Sequence, residues 1–236
     1  MVAVIGDVHG CYQTLKQLVE NIRTKYPGIS IYCVGDLVDR GNYSFEVIEF
    51  VLSENILFTL GNHDLMFYSF FKHPASSMAN NWTYNGSEST LTSYQDKPEK
   101  LEEHLDVLVK SPVFINTDDC FISHAGISQF YKNKLPSNIF ENLNELENIL
   151  RQDLNDKNSI LWCRTALLNI GKLQVVGHTH RKDILYDEAS NAVYIDTTAF
   201  GLNKLSAVIV QDNKVIERIE QKTFRDDSDN RWNYYL

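Results

Sequence analysis

The sequence predicts an α/β fold, and three observations support this class. Short runs rich in Val, Ile and aromatic residues are typical of strands. They alternate with stretches in which apolar residues recur every three or four positions, as on the buried face of a helix. Five of the strand-like runs are followed directly by a glycine-flanked cluster of Asp, His or Asn. Because ligands bind beyond the carboxyl ends of strands in α/β sheets, these clusters predict a common site.

The first half of the chain alternates regularly between the two patterns. Strand-like runs occupy residues 1–5, 31–34 and 55–60, and stretches with helical spacing follow at residues 15–22, 45–52 and 65–71. Pro27-Gly28 ends the first helical stretch, and Ser44 is the expected N-cap of the second. Residues 73–111 break the alternation, since they are polar, contain two prolines and end in a helical stretch. We interpret them as an insertion beside the site, within a single domain that spans residues 1–236.

The second half is richer in strands. A hairpin is predicted around residues 117–119, and its two strands are residues 113–116 and 120–123. Further strands are predicted at residues 173–176, 192–196, 206–210 and 215–219, with a turn at Asp212-Asn213 between the last two. Helical spacing recurs at residues 139–150, and residues 160–164 are expected in or before a short helix. The charged tail at residues 226–230 is expected to be loose unless the later aromatic residues Trp232, Tyr234 and Tyr235 dock it.

Composition excludes several classes of function. The formal net charge of −9 argues against nucleic acid as a partner, because phosphate backbones repel an acidic surface. No apolar run approaches the roughly 20 residues that span a bilayer, and no secretory signal is evident, so we expect no membrane association. The four cysteines lie far apart and indicate the reduced thiols of a cytoplasmic protein. Nothing in the sequence indicates the oligomeric state.

The stretch Gly35-Asp-Leu-Val-Asp-Arg-Gly41 is the most informative cluster. It follows a predicted strand, so Asp36, Asp39 and Arg40 lie together in a turn at a strand end. Two carboxylates and a guanidinium so close together are costly unless a cation and an anion bind there. Taken alone, the stretch fits a solvated loop with one ion pair equally well. The other clusters favour a binding site, because they hold five of the seven histidines: His9, His63, His124, His178 and His180.

Taken together, the clusters resemble the signatures of the phosphoprotein phosphatase family of calcineurin-like metallophosphoesterases. The matching motifs occur in family order: Gly6-Asp-Val-His-Gly10, the Gly35–Gly41 stretch, Gly61-Asn-His-Asp64, His124-Ala-Gly126 and Gly177-His-Thr179. The sequence is most similar to the compact bacterial and bacteriophage Ser/Thr protein phosphatases. The resemblance implies a four-layer fold, in which two mixed β-sheets form a sandwich flanked by helices and a metal site lies at the sheet ends.

The resemblance also implies a dinuclear metal site. One divalent ion would be held by Asp7, His9 and Asp36, and the other by Asn62, His124 and His178, with Asp36 bridging the two. Such oxygen and nitrogen donors suit Mn²⁺, with Fe or Zn as alternatives, better than Ca²⁺ or Cu. Two carboxylates and two divalent ions leave a formal charge of about +2, which would attract a phosphate monoester dianion.

By the same resemblance, Arg40 and Arg164 would bind the phosphate group through their guanidinium forks. A hydroxide bridging the two metals would attack phosphorus in one in-line step. His63, oriented by Asp39, would protonate the leaving group. The expected activity is therefore hydrolysis of phosphate monoesters by a protein Ser/Thr phosphatase, with phospho-Tyr as a further substrate. The expected partner is a phosphorylated protein or a small phosphoester.

Two other functions stay open. Gly-Asn-His-Asp-Leu and His-Ala-Gly-Ile also resemble the bacterial symmetrical dinucleoside tetraphosphatases, so diadenosine tetraphosphate or a broad range of phosphoesters would be the alternative substrate. That branch tends to lack the acid that Asp39 supplies, which favours a phosphomonoesterase. Residues 80–86 resemble a bacterial motif that lines the rim of the substrate groove, although a well-packed aromatic explains Trp82 equally well. A binding module that kept the fold and lost activity is the third possibility.

Overall fold

The structure is a computed structural model that describes residues 1–136 and 138–228. Over these residues the chain forms two five-stranded mixed sheets flanked by helices, which confirms the predicted fold class. The strands are β1 (Val2–Ile5), β2 (Ser30–Cys33), β3 (Leu57–Phe58), β4 (Phe114–Asn116), β5 (Phe121–Ser123), β6 (Gln174–Val176), β7 (Leu185–Asp187), β8 (Ala192–Tyr194), β9 (Lys204–Gln211) and β10 (Lys214–Lys222). The helices are α1 (Tyr12–Lys25), α2 (Ser44–Ser53), α3 (Asn62–Lys72), α4 (Ser77–Trp82), α5 (Ser87–Tyr94), α6 (Pro98–Lys110) and α7 (Leu143–Gln152).

The direction of the strands brings several of their carboxyl ends to the same place. The first sheet has the order β10-β9-β1-β2-β3, in which β1, β2 and β3 run parallel. The second sheet has the order β4-β5-β6-β8-β7, in which β5, β6 and β8 run parallel. In the first sheet β9 runs antiparallel to both of its neighbours, β10 and β1, and in the second sheet the edge strands β4 and β7 run antiparallel to theirs. Each sheet therefore presents a set of parallel carboxyl ends along one edge.

Alternation along β1 shows how the two sheets pack. Ala3 and Ile5 belong to the hydrophobic cluster that also holds the buried faces of α1 and α2. Val2 and Val4 point the other way and join a cluster with residues of the second sheet, such as Ile122, Val175 and Val193. This second cluster lies between the sheets, so its burial holds them together.

Residues 73–111, the predicted insertion, contain α4, α5 and α6. Helix α6 begins with Pro98, a residue suited to the first turn of a helix, and buries Leu105 and Leu108. Trp82, the last residue of α4, is fully buried. Among the described residues, no helix is both long and apolar enough to cross a bilayer.

Three local predictions are wrong, and β7 was not predicted. Ser44 is the first residue of α2 rather than its N-cap, because its hydroxyl accepts a hydrogen bond from the Asp39 N–H at 3.1 Å. No helix forms at or directly after residues 160–164: residues 160–162 lie in a turn, and the Ile160 carbonyl accepts a hydrogen bond from the Ala125 N–H. The tail is not loose up to residue 228, because Asp227 is fully buried. The rest of the tail, with its three aromatic residues, lies outside the described residues.

Asp227 caps α1, the first helix of the chain. Its carboxylate accepts hydrogen bonds from the N–H of Gln13 at 2.9 Å and from the N–H of Thr14 at 2.7 Å. The N-cap residue Cys11 makes no side-chain cap of its own. Asp227 therefore satisfies the free N–H groups of the first turn, where a negative charge also favours the helix dipole.

Candidate active site

All six predicted metal ligands are buried, and each lies just beyond a strand. Asp7 and His9 follow β1, Asp36 follows β2, Asn62 opens the helix after β3, His124 follows β5 and His178 follows β6. Packing of the two sheets brings these side chains together. The backbone N–H of His178 donates to both carboxylate oxygens of Asp7, at 3.2 and 3.0 Å, across 171 residues of chain.

Asp36 lies at the centre of the cluster. Its Oδ2 atom is 3.5 Å from Nε2 of His9 and 3.5 Å from Nε2 of His124. Two sets of three residues each offer ligand atoms that lie within 4.8 Å of one another inside the set. Both sets contain Asp36: one with His9 and His63, the other with Asp7 and His124. A carboxylate shared by two sets is the arrangement that a pair of metal ions requires. The sets differ from the expected grouping, because His63 stands beside His9 where Asp7 was expected.

Hydrogen bonds to the backbone orient two of the imidazoles. Nδ1 of His9 is 2.9 Å from the Val38 carbonyl, and Nδ1 of His124 is 3.0 Å from the Val34 carbonyl. Because a carbonyl can only accept, each Nδ1 carries the proton and each Nε2 presents its lone pair to the cluster. This fixed tautomer is the form in which histidine binds a metal.

Asn62 brings another acceptor atom close to the imidazoles of His124 and His178. Its Oδ1 atom is 2.8 Å from Nε2 of His124 and 2.8 Å from Nδ1 of His178. The two imidazole nitrogens are themselves 3.2 Å apart. Since His124 has its proton on Nδ1, acceptor atoms face one another here, which is unfavourable unless a cation lies between them.

The pKa shifts of the clustered side chains also indicate a site for a cation. Burial raises the pKa of Asp36 to about 7, and burial with the neighbouring carboxylates of Asp196 and Asp36 raises the pKa of Asp7. Burial lowers the pKa of His124 to about 4 and also lowers the pKa of His9, so both are neutral at pH 7. A divalent cation would reverse the carboxylate shifts, because it stabilises the ionised form. The donor set therefore fits divalent transition-metal ions.

Two motif glycines allow the strand ends to approach this closely. A Cβ atom at Gly177 would lie 1.8 Å from Oδ1 of Asp7, and a Cβ atom at Gly61 would lie 2.2 Å from Oδ1 of Asp36. Neither glycine has a positive φ, so the requirement at these positions is space rather than an unusual backbone conformation. Each of these two glycines thus has a direct role in seating a carboxylate.

Strained backbone is concentrated at the site. Several of the non-glycine residues with positive φ belong to the motifs: His9, Asp36, Asp39, Arg40 and His178, with φ between 45° and 74°. This region is sparsely populated by residues that carry a side chain, and it persists where the surrounding structure demands it. Here it allows consecutive turn residues to direct their side chains into the cluster.

His63 and Asp39 form a buried pair. Nδ1 of His63 is 2.6 Å from Oδ2 of Asp39, and Nη2 of Arg40 is 3.0 Å from Nε2 of His63. A guanidinium can only donate, so Nε2 accepts and Nδ1 donates its proton to the carboxylate. Asp39 thereby fixes the ring with Nε2 directed toward Arg40.

The two predicted phosphate-binding arginines occupy different environments. Arg40 is buried, with Nη1 2.9 Å from Nε2 of His9 and its guanidinium carbon 4.3 Å from the centre of the Phe200 ring. Arg164 is exposed, and its Nη1 donates to the His178 carbonyl at 3.1 Å. Arg40 is thus part of the buried cluster, whereas Arg164 lies at its solvent side.

Sequence reasoning missed several residues that support the site. Asp64 accepts the N–H groups of Asp36, Leu37 and Gly61 at 2.9 to 3.0 Å, which ties two motifs together. Asp196 is fully buried and lies 2.5 Å from Nδ1 of His180. The second histidine of Gly-His-Thr-His was the available signal for this pair. No motif marked Asp196 itself.

The sheet-end cluster of carboxylates, histidines and one amide, on two packed mixed sheets, defines a metal-dependent phosphoesterase. The chain belongs to the calcineurin-like phosphoesterase family, whose family model matches residues 1–194. The structure presents candidate ligands for the dinuclear divalent metal site that this family uses.

Curated relatives are similar over about half of the chain. A symmetrical bis(5'-nucleosyl)-tetraphosphatase of Buchnera aphidicola is 30% identical over 131 residues, which are 54% of this chain and 44% of that protein. Another, from Coxiella burnetii, is 36% identical over 129 residues, 52% of this chain and 41% of that protein. An asymmetrical bis(5'-nucleosyl)-tetraphosphatase of Bacillus cereus is 28% identical, over 54% of this chain and 58% of that protein. The matched regions therefore span about half the length of these relatives.

Solved structures support the fold over nearly the whole chain. A putative diadenosine tetraphosphatase superposes with a TM-score of 0.61 at 20% identity, covering 95% of this chain and 94% of that one. A protein-tyrosine phosphatase of a Shewanella species gives 0.64 at 18% identity, covering 94% and 80%. At these identities the similarity concerns the fold alone.

Proposed function

We propose that this chain hydrolyses P–O bonds with two divalent metal ions, and that dinucleoside tetraphosphates are its substrate class. The observation that carries the hydrolytic function is the clustering of buried donors around Asp36, which groups with His9 and with Asp7 and His124, while Asn62 Oδ1 and His178 Nδ1 lie 2.8 and 3.2 Å from Nε2 of His124. The substrate class is supported by the curated relatives, which are named as bis(5'-nucleosyl)-tetraphosphatases. This substrate is the alternative that the sequence motifs left open, and the comparisons favour it over the protein phosphatase.

The metal site in this proposal uses the six predicted residues. They are Asp7, His9 and Asp36 for one ion and Asn62, His124 and His178 for the other, with Asp36 shared. Bound ions would supply an activated water molecule near neutral pH and positive charge at the phosphorus centre. Mn²⁺ is the first ion to test, because it suits a mixed oxygen and nitrogen donor set.

The remaining catalytic roles fall to three side chains of the buried cluster and one at its edge. Arg40 and Arg164 would bind phosphate oxygens through charge-assisted hydrogen bonds. Nε2 of His63, which accepts from Arg40 in this structure, would first take up a proton; the doubly protonated ring, stabilised and oriented by Asp39, would then transfer that proton to the departing oxygen. Because both sheets and the helices of residues 73–111 contribute to this one site, we treat the chain as a single catalytic domain.

A phosphomonoesterase, including one that acts on phosphoproteins, is the second candidate. It is favoured by the buried pair of Asp39 and His63 at 2.6 Å. An alkoxide leaving group is a much stronger base than the nucleoside diphosphate that leaves a symmetrically cleaved tetraphosphate. A positioned proton donor therefore contributes more to cleaving a monoester than to cleaving the dinucleotide.

A substrate panel tests the proposal. The purified chain is stripped of metal and reconstituted separately with Mn²⁺, Fe²⁺ and Zn²⁺, and kcat/KM is measured for diadenosine tetraphosphate, a phosphoserine peptide and p-nitrophenyl phosphate. We expect the dinucleotide to be preferred and to yield ADP alone. Preference for the peptide would establish the second candidate, and absence of turnover with every metal and substrate would refute both.

A further inference from the structure

The segment that comprises α4, α5 and the loop between them, residues 77–94, makes direct contact with the proposed catalytic pair. Nε1 of Trp82 lies 3.0 Å from Oδ1 and 2.9 Å from Oδ2 of Asp39. The Thr90 hydroxyl donates to Oδ1 of Asp39 at 2.8 Å. With His63 on Oδ2, both carboxylate oxygens are satisfied. The direction in which Asp39 points is therefore set by side chains from residues 73–111.

The same segment also holds the backbone beside the pair. Thr90 accepts a hydrogen bond from the Asp39 N–H at 2.9 Å, and the Gly86 carbonyl accepts one from the Arg40 N–H at 3.0 Å. Asp39 and Arg40 both have positive φ, 74° and 70°, a conformation that needs support from outside the turn. Thr90 and Gly86 provide that support.

Trp82 links Asp39 to the helix that carries His63. Its ring packs against Phe67 with the ring centres 5.3 Å apart, and Phe67 lies one helical turn after His63 in α3. Phe70 also packs on the same indole, at 4.8 Å. A single buried side chain thus contacts both the carboxylate and the helix that carries the imidazole.

We infer that Trp82 and Thr90 are positioning residues for the proton donor, so that residues 73–111 act behind the catalytic pair and not only at the rim of the substrate groove. The inference rests on the proposed role of His63. Neither side chain touches the reacting atoms in this account. They hold Asp39 so that its Oδ2 faces Nδ1 of His63, which directs Nε2 toward Arg40 and the proposed position of the leaving group.

The test compares leaving groups in two variants, each of which removes one hydrogen-bond donor to Asp39. Trp82→Phe removes the indole N–H and keeps an aromatic ring, and Thr90→Val removes the hydroxyl. With Mn²⁺ present, we measure the ratio of kcat for p-nitrophenyl phosphate to kcat for phenyl phosphate, which rises when the proton donor is impaired. Each variant should raise this ratio about tenfold, as expected when a hydrogen-bond partner behind a functional residue is lost. Adding either change to Asp39→Asn should have no further effect.

Tyr94→Phe is the matched control. Tyr94 is a buried aromatic residue of the same segment that also packs on Phe67, but its hydroxyl bonds to His104 and not to Asp39. Its loss should lower stability without changing the ratio. If Asp39→Asn raises the ratio and Trp82→Phe and Thr90→Val leave it unchanged, the inference is wrong while the proposed function stands. If Asp39→Asn leaves it unchanged, the inference fails together with the proposed role of Asp39 and His63, while the hydrolytic function is decided separately by the substrate panel.

A spectroscopic readout tests the contact without turnover. The chain has three tryptophans, and the indole ¹⁵N–¹H signal that Trp82→Phe removes belongs to Trp82. Asp39→Asn should shift this signal in metal-stripped protein, because the indole N–H loses its charged acceptor. An unshifted signal would show that Trp82 does not bind Asp39 and would overturn the inference.

Discussion

Gly177→Ala should damage the metal site by displacing Asp7. An added Cβ would lie 1.8 Å from Oδ1 of Asp7 and 2.7 Å from Cγ2 of Val34, and contacts under 3.0 Å are essentially never observed. The carboxylate must therefore move by at least about 1.2 Å. Displacements of about 1 Å in a catalytic site cost on the order of 10²-fold in rate.

Two measurements on the Gly177→Ala variant follow from this displacement. Mn²⁺ affinity, measured by calorimetry on metal-stripped protein, should fall about 10- to 100-fold. The kcat for p-nitrophenyl phosphate at saturating Mn²⁺ should fall by about 10². The effect reaches both proposed ion sites, because the Asp7 carboxylate, assigned to one ion, accepts the backbone N–H of His178, assigned to the other.

Gly28→Ala is the control that separates the steric displacement of Asp7 from the backbone strain of replacing a glycine. Gly28 has φ of 78°, and no atom lies within 4 Å of the position that a Cβ atom would take, so the change strains the backbone without displacing any neighbour. It should lower the free energy of unfolding by about 1 kcal/mol and leave Mn²⁺ affinity unchanged. If Gly177→Ala keeps its metal affinity and turnover within about threefold of the original chain, the proposed role of Asp7 as a ligand is refuted.

Three further predictions concern the proton donor, the bridging carboxylate and the cap of α1. His63→Asn should lower turnover of alkyl phosphates by about 10² to 10⁴ and turnover of p-nitrophenyl phosphate by less; equal losses would remove His63 as the acid. Because burial raises the pKa of Asp36 to about 7, protons compete with the metal below that pH, so Mn²⁺ affinity measured by calorimetry should rise as the pH rises through 7. In Asp36→Asn this dependence should disappear, and its persistence would assign the proton to another group. Asp227→Ala should lower the free energy of unfolding in urea by about 2 kcal/mol, and Asp226→Ala, whose side chain makes no such cap, should change it by less than about 0.5 kcal/mol.

The convergence of the site could be predicted because its signals are local. Each ligand stands in a glycine-flanked motif at the end of an apolar run, and the fold class places parallel strand ends together. Asp7, Asp36 and His124 meet as that reasoning requires. Their assignment to particular ions, and the roles of the arginines and His63, stay predictions.

Long-range hydrogen bonds could not be predicted in the same way. Trp82 lies 43 residues from Asp39, in a polar segment without regular periodicity, so no pattern indicates that its indole reaches the carboxylate. The charge run around Asp227 predicts a loose tail because such runs are usually solvated, yet this residue caps a helix more than 200 residues away. Strand β7 was missed because it is a short edge strand whose side chains are exposed or half-buried, so no buried apolar run marks it.

The proposed ligands are divided between the two sheets, and this has a consequence for folding. Asp7, Asp36 and Asn62 come from the first sheet, whereas His124 and His178 come from the second. In the proposed assignment one ion takes Asn62 from the first sheet and His124 and His178 from the second, so its binding favours the docked state and resists separation of the sheets. When metal is added, the backbone amides of β1 and those of β6 should therefore both exchange more slowly with solvent, because the bound metal joins the two sheets.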